Sequence, residues 1–226
     1  MWGLIPFGRI TIGQCLKEKI TEPDIHVNGY TILKNKIQIN KKVIKQIYSQ
    51  INKKRKIIFN SERNDNKRLQ CNLYHRQRYM TDFVNNIRSI IFDSVGSKLI
   101  INDWVILKSL EGCKEQLPHC DYIPSDEFKK CDGENIPLSF IVSIMDDTKI
   151  NIWDKSLGYP TDISNKIEKQ IFLDEGDIFI FRGDLVHAGS SYDKENTRLH
   201  AFLDSVLCPR TKNRTFIIKK HASKHV

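Results

Sequence analysis

The spacing of apolar residues changes near position 98, and this change constrains the fold more than any other feature of the chain. Before it, residues 40–51 place Val43, Ile44, Ile47, Tyr48 and Ile51 on one stripe, and residues 78–95 repeat the pattern with Met80, Phe83, Val84, Ile87, Ile90, Ile91 and Val95. Apolar residues at intervals of three and four mark amphipathic helices, and Gly96 supplies a stop for the second. After it, the apolar runs are short and rich in β-branched and aromatic residues, at 104–107, 138–145, 150–153, 169–173, 177–181 and 198–203. Turn-forming clusters such as Cys131-Asp132-Gly133, Asp146-Asp147 and Asp174-Glu175-Gly176 separate them. Helices followed by many short strands predict an α+β chain, an antiparallel sandwich or barrel with helices packed outside it. The expected division is an N-terminal helical support at 1–98, a β core at 99–209 and a basic tail at 210–226.

Charge is distributed unevenly. Residues 34–68 carry twelve Lys/Arg against Glu62 and Asp65, whereas residues 69–209 hold 15 basic and 22 acidic side chains. The tail 210–226 has six Lys/Arg and no acid. Two basic segments thus flank an acidic body. They read either as solvated lysines on a helix face with a frayed tail, or as a grip on a polyanion such as nucleic acid. No apolar stretch approaches the roughly 20 residues of a membrane helix, and residues 1–20 lack the pattern of a secretion signal, so an intracellular protein with no membrane contact is expected. The six cysteines form no Cys-x-x-Cys pair, which favours free thiols over a disulfide framework. Cys113, His119, Cys120 and Cys131 match none of the common structural-zinc spacings.

The chemistry-bearing residues are few. In His119-Cys120-Asp121 an extended backbone would point His119 and Asp121 the same way and turn Cys120 aside. A later run, 177–181, leads through Arg182-Gly183-Asp184 to His187. Two neutral imidazoles and one carboxylate make the triad of non-haem Fe(II) oxygenases, which leaves coordination positions for a chelating 2-oxo acid and for O2. A His-x-acid pair alone is common by chance. The weight lies in the distal His187 and in Arg198, eleven residues beyond it on the next strand. Alternation would set Arg198, His200 and Phe202 on one face, and a guanidinium inside a barrel needs a partner. A dicarboxylic co-substrate supplies one, because the Arg fork matches a carboxylate. The alternatives for Arg198 are pairing with Asp184 or Asp204 at the barrel rim.

In motif order and spacing, residues 102–205 resemble the 2-oxoglutarate/Fe(II)-dependent oxygenase superfamily, especially its prolyl-hydroxylase-like branch. Residues 176–189 look like that family's approach to its distal histidine, and Arg198 falls where it places the residue that binds the far carboxylate of 2-oxoglutarate. The resemblance implies a double-stranded β-helix (jelly roll), Fe(II) on His119, Asp121 and His187, and decarboxylation of 2-oxoglutarate to succinate with oxidation of a substrate by O2. The pattern departs in three places. Ser109 stands near a common tyrosine, Asp147-Thr148 replaces a Gly-Gly pair, and His200 replaces a Ser or Thr. His200 would either join Arg198 on the co-substrate carboxylate or be structural. The resemblance favours a protein or peptide side chain, proline included, as substrate, with a small molecule as another candidate. A nucleic-acid-modifying oxygenase suits the basic segments, although Asp204 stands where alkylation-repair members carry a second Arg. A non-enzymatic barrel that uses its basic arms for binding is the rival outside the enzyme class. Trp153 and Phe202 read as core residues rather than substrate clamps, and Trp104 as a residue that could line the cavity.

Overall fold

In the computed structural model, residues 23–57, 65–212 and 214–218 are described; residues 1–22, 58–64, 213 and 219–226 lie outside them. Among the described residues, twelve strands form two antiparallel sheets that face each other. The larger sheet contains β1 (Tyr30–Leu33), β2 (Lys56–Ile57), β3 (Arg68–Asn72), β4 (Ile100–Ser109), β6 (Leu138–Ser143), β9 (Ile178–Arg182) and β11 (Asn196–Asp204). Its order is β1-β9-β6-β11-β4-β3-β2. The smaller sheet contains β5 (His119–Cys120), β7 (Thr148–Trp153), β8 (Glu168–Leu173), β10 (His187–Gly189) and β12 (Phe216–Ile217), in the order β12-β5-β10-β7-β8. This is the double-stranded β-helix expected from the resemblance.

Two helices cover the outer face of the large sheet. Helix α1 (Lys41–Lys54) starts where Asn40 accepts a hydrogen bond from the Val43 amide at 3.0 Å, and two lysines in its last turn suit the negative end of the helix dipole. Helix α2 (Arg78–Val95) ends at Gly96, whose φ of 86° is open to glycine at little cost. Their buried stripes, including Val43, Ile47, Met80 and Ile87, pack against Leu69, Ile106, Phe140 and Leu199 of the sheet. The inner faces meet through Ile141, Phe179 and Phe181 on one side and Ile150, Ile152 and Leu173 on the other. Alternation along each strand of the large sheet therefore splits residues between a helix-covered core and a cavity.

Three findings depart from the sequence reading. Trp104 does not line the cavity; it packs edge-on to Phe140 in the helix-covered core, with ring centroids 5.1 Å apart. Its neighbour Val105 takes the inner face instead. The N-terminal region adds β1, β2 and β3 to the large sheet besides its helices. The segment beyond 209 does not simply trail away, since β12 pairs with β5 and places Ile217 beside His119. No helix among the described residues is long and apolar enough to cross a membrane.

Candidate metal and co-substrate site

Strand β5 is two residues long, and β10 sets His187 directly opposite His119. The two imidazole rings stand 4.4 Å apart between centroids. Asp121 follows β5, and its Oδ1 lies 3.6 Å from His187 Nε2. One ligand atom from each of the three falls within 4.8 Å of the others, and all three residues are buried. No other such trio of metal-ligating side chains occurs among the described residues. Cys120, as alternation requires, points the other way into an apolar cluster with Trp153 and Val186. The cysteines at 71, 113, 120, 131 and 208 are free thiols, and no zinc cluster joins them to His119.

The chemistry of the donors suits a divalent metal. His119 Nδ1 donates to the Leu117 carbonyl at 2.8 Å, and His187 Nδ1 donates to the Leu185 carbonyl at 3.0 Å. A carbonyl only accepts, so Nδ1 of each ring carries a proton, and a ring in its neutral form keeps its Nε2 lone pair for a ligand. Burial, helped by the neighbouring His187, pushes the His119 imidazole down to about 4, which holds it neutral at physiological pH. Burial alone would raise the Asp121 carboxyl; the charge and the N–H groups that protonated His187 and His200 would turn to it instead hold it well below the usual carboxylate range. His200 Nε2 approaches Asp121 Oδ2 at 3.2 Å, on the oxygen away from His187. His200 thus braces the carboxylate, in keeping with the structural one of the two roles that the sequence left open for it.

The His119 shift predicts a pH dependence for the metal-free protein. In the unfolded chain this imidazole titrates near 6.5, so between that value and about 4 the unfolded state binds a proton that the folded state refuses. Stability should fall as pH drops through this window, by about 3 kcal/mol in all. Urea midpoints measured from pH 7 to pH 4 test this, and a flat profile would contradict it.

Arg198 shares the cavity with the triad and is 4% exposed. It donates to Ser109 Oγ at 3.2 Å, and its guanidinium lies 5.5 Å from the Tyr192 ring centre. Asp184 is taken by Arg182 at 2.9 Å, and Asp204 by Tyr122 at 2.7 Å and by Arg210. Arg198 has no carboxylate within 4.0 Å among the described residues. Arg68, which no sequence motif singles out, also reaches Ser109 Oγ at 3.2 Å. It is 3% exposed and binds the carbonyls of Lys114, Gly189 and Ser190. Burial, with the Arg198 charge beside it, pushes the Arg68 guanidinium down to about 10. Two buried cations converging on one neutral hydroxyl leave positive charge that a dianion would balance. The signal for Arg68 was the alternation of β3, in which Leu69 and Cys71 face the helices and Arg68 and Gln70 face the cavity.

Gly183 seats the carboxylate ligand. The Tyr122 amide donates to its carbonyl at 3.1 Å, and a Cβ at 183 would lie 2.1 Å from the Tyr122 ring. Gly183→Ala should cost roughly 1–3 kcal/mol by overpacking and shift Asp121, the residue next to Tyr122. A lowered melting temperature together with weaker metal binding is expected; unchanged metal affinity would show that the strain is absorbed elsewhere.

No protein-family model matches the chain. No curated protein matches it either. Solved structures do. The chain is similar to the non-haem alpha-ketoglutarate-dependent epimerase SnoN from nogalamycin biosynthesis, with a TM-score of 0.64 at 12% identity over 88% of this chain and 89% of that one. It is similar to HygX from Streptomyces hygroscopicus, solved with nickel, 2-oxoglutarate and hygromycin B, with a TM-score of 0.56 at 9% identity over 80% and 85%. A Pseudomonas putida prolyl-4-hydroxylase gives a TM-score of 0.56 at 11% identity over 80% and 95%. The chain shares the fold of 2-oxoglutarate-dependent oxygenases. At these identities the likeness is one of fold, and chemistry has to be argued from the site.

Proposed function

We propose that this protein is an Fe(II)- and 2-oxoglutarate-dependent dioxygenase in which His119, Asp121 and His187 hold the metal and Arg198 binds the far carboxylate of 2-oxoglutarate. The observation that carries the reading is Arg198, a buried guanidinium with no carboxylate partner among the described residues, facing the cavity that holds the only such ligand trio among them. When bound, Fe(II), 2-oxoglutarate and O2 supply a two-electron oxidation that places one oxygen atom in succinate, releases CO2 and leaves the other oxygen for a substrate C–H bond.

The chain's own part is binding, orientation and exclusion of water. His119 and His187 present Nε2 lone pairs, fixed by their Nδ1 hydrogen bonds. Asp121 brings one negative charge, and His200 holds its second oxygen. Val105, Leu107 and Ile141 line the cavity with hydrocarbon, which strengthens the charge pairing between Arg198 and a carboxylate. The cavity measures about 980 Å³, room for the co-substrate and part of a larger molecule. A protein or peptide side chain, proline included, is the substrate that the sequence resemblance favours; the charge of the cavity mouth favours an anionic one.

The test is anaerobic titration of the metal-free protein with Fe(II) and then 2-oxoglutarate, following the visible metal-to-ligand charge-transfer band of the chelate. Admission of O2 should then yield succinate even without substrate. Iron binding without the band would point to another metalloenzyme, and absence of iron binding to a non-enzymatic barrel.

A further inference from the structure

We infer that the molecule oxidised at this site carries phosphate, held by cations that the two basic segments bring to the mouth of the cavity. The inference takes its chemistry from the oxygenase reading, while the claim of phosphate binding stands without it. Segments far apart in sequence meet here. Lys56 comes from the first basic segment, and Arg210, Lys212 and Arg214 come from the second. Lys149 of β7 also lines the cavity, whereas Lys108 of β4 has the parity of Trp104 and carries its ammonium over the Tyr48 ring of α1, 5.4 Å from the ring centre. Against these the cavity presents Asp103 and the ligand Asp121.

Some of the cations are already paired. Lys108 meets Glu195 at 3.0 Å, Lys212 meets Asp103 at 3.3 Å, and Arg210 binds Asp103 and Asp204. Lys56, Lys149 and Arg214 have no carboxylate within 4.0 Å among the described residues, although the Lys149 ammonium lies 5.2 Å from the Tyr192 ring centre. Arg210 lies 3.6 Å over the Phe202 ring, so the wall between the mouth and His200 is a flat, cation-faced aromatic. A single carboxylate needs one guanidinium fork, the part assigned to Arg198. Unpaired cations from three separate segments suit a ligand whose negative charge is larger or repeated. The 69–209 stretch carries seven more acids than bases, so the cations at the mouth stand out against an acidic body and favour the approach of an anion there.

The experiment uses the full chain with Fe(II) and 2-oxoglutarate under anaerobic conditions. Fluorescence anisotropy follows a labelled ten-nucleotide single-stranded oligo-dT and, separately, a labelled ten-residue polyglutamate. The triple variant Lys56→Ser, Lys149→Ser, Arg214→Ser is compared with the wild type. The oligonucleotide should bind with an affinity that falls with salt, and the triple variant should bind at least tenfold more weakly with a log–log salt slope shallower by about 2. The charge-transfer band should be the same in both proteins, which separates lost phosphate binding from a damaged site. Displacement by thymidine monophosphate at stoichiometric concentrations would assign the phosphate to a small molecule, and resistance to it would assign the phosphate to a strand. Equal affinity for polyglutamate, no binding of the oligonucleotide, or an unchanged triple variant would each overturn the inference. Binding of the oligonucleotide in a protein that never forms the band would instead sink the oxygenase reading alone.

Discussion

His187→Ala should bind Fe(II) more weakly than the wild type by more than roughly 100-fold, beyond what loss of an outer partner costs, and should form no succinate. The residue sits at the centre of the trio, opposite His119 across the strand pair and 3.6 Å from the Asp121 carboxylate. Its removal leaves one imidazole and one carboxylate, too few to hold a labile divalent ion against water. His200→Ala provides the contrast. It removes only the brace on Asp121 Oδ2 and should weaken iron binding within roughly 10–100-fold while leaving measurable turnover. Calorimetric titration with Fe(II) under anaerobic conditions ranks the two variants. Equal losses would mean that His200 is itself a ligand, and full activity in His187→Ala would remove the basis of the metal assignment. Circular dichroism guards against a trivial result, because the His187 ring also packs 4.6 Å from that of Phe181.

Arg198→Met should separate the metal from the co-substrate. Methionine keeps much of the aliphatic stem, so Fe(II) affinity should be unchanged. The charge-transfer band on adding 2-oxoglutarate should require roughly 100-fold more co-substrate, the value of one or two hydrogen bonds to a charged group. The metal-free variant should be no less stable than the wild type. The substitution relieves repulsion with Arg68 and leaves Ser109 Oγ its other donor, also at 3.2 Å. Thermal melts with and without 2-oxoglutarate read both effects at once: the wild type gains stability from the ligand and the variant does not. If Arg198→Met unfolds, or if it still gains stability from 2-oxoglutarate, the guanidinium has a structural role and the far carboxylate is bound elsewhere.

The parts legible in the sequence share one property, a face whose polarity matches its surroundings. Helix α2 could be read because its stripe is wholly apolar and Gly96 ends it. The alternation of β11 could be read because Leu199, Ala201 and Leu203 face the core while Arg198 and His200 do not. Strand β3 was hidden, since its inward face is Arg68, Gln70 and Asn72, polar residues that resemble a loop until the cavity they line is seen. The same holds for β12, two residues set within a basic stretch. Trp104, one of the residues that could have lined the cavity, does not, because parity along β4 sets it opposite to Val105, Leu107 and Ser109. The neighbouring Asp103, with a left-handed φ of 51°, marks the irregular register between β4 and β11 at that point. The partner of His200 was not legible at all, since its contact with Asp121 spans 79 residues and joins the two sheets.

The braces on the two imidazoles have a consequence for how the protein can vary. Each ring is fixed by the carbonyl of the leucine two residues before it, so the brace travels with its own tripeptide and uses no side chain. Leu117-Pro118-His119 and Leu185-Val186-His187 therefore behave as two interchangeable cassettes. A saturation library at 117 and 185 should tolerate many residues that preserve packing, and loops grown or shortened away from these tripeptides should leave the proton on the same nitrogen. Such a protein can reshape its mouth for new molecules without retuning the ligands beneath it.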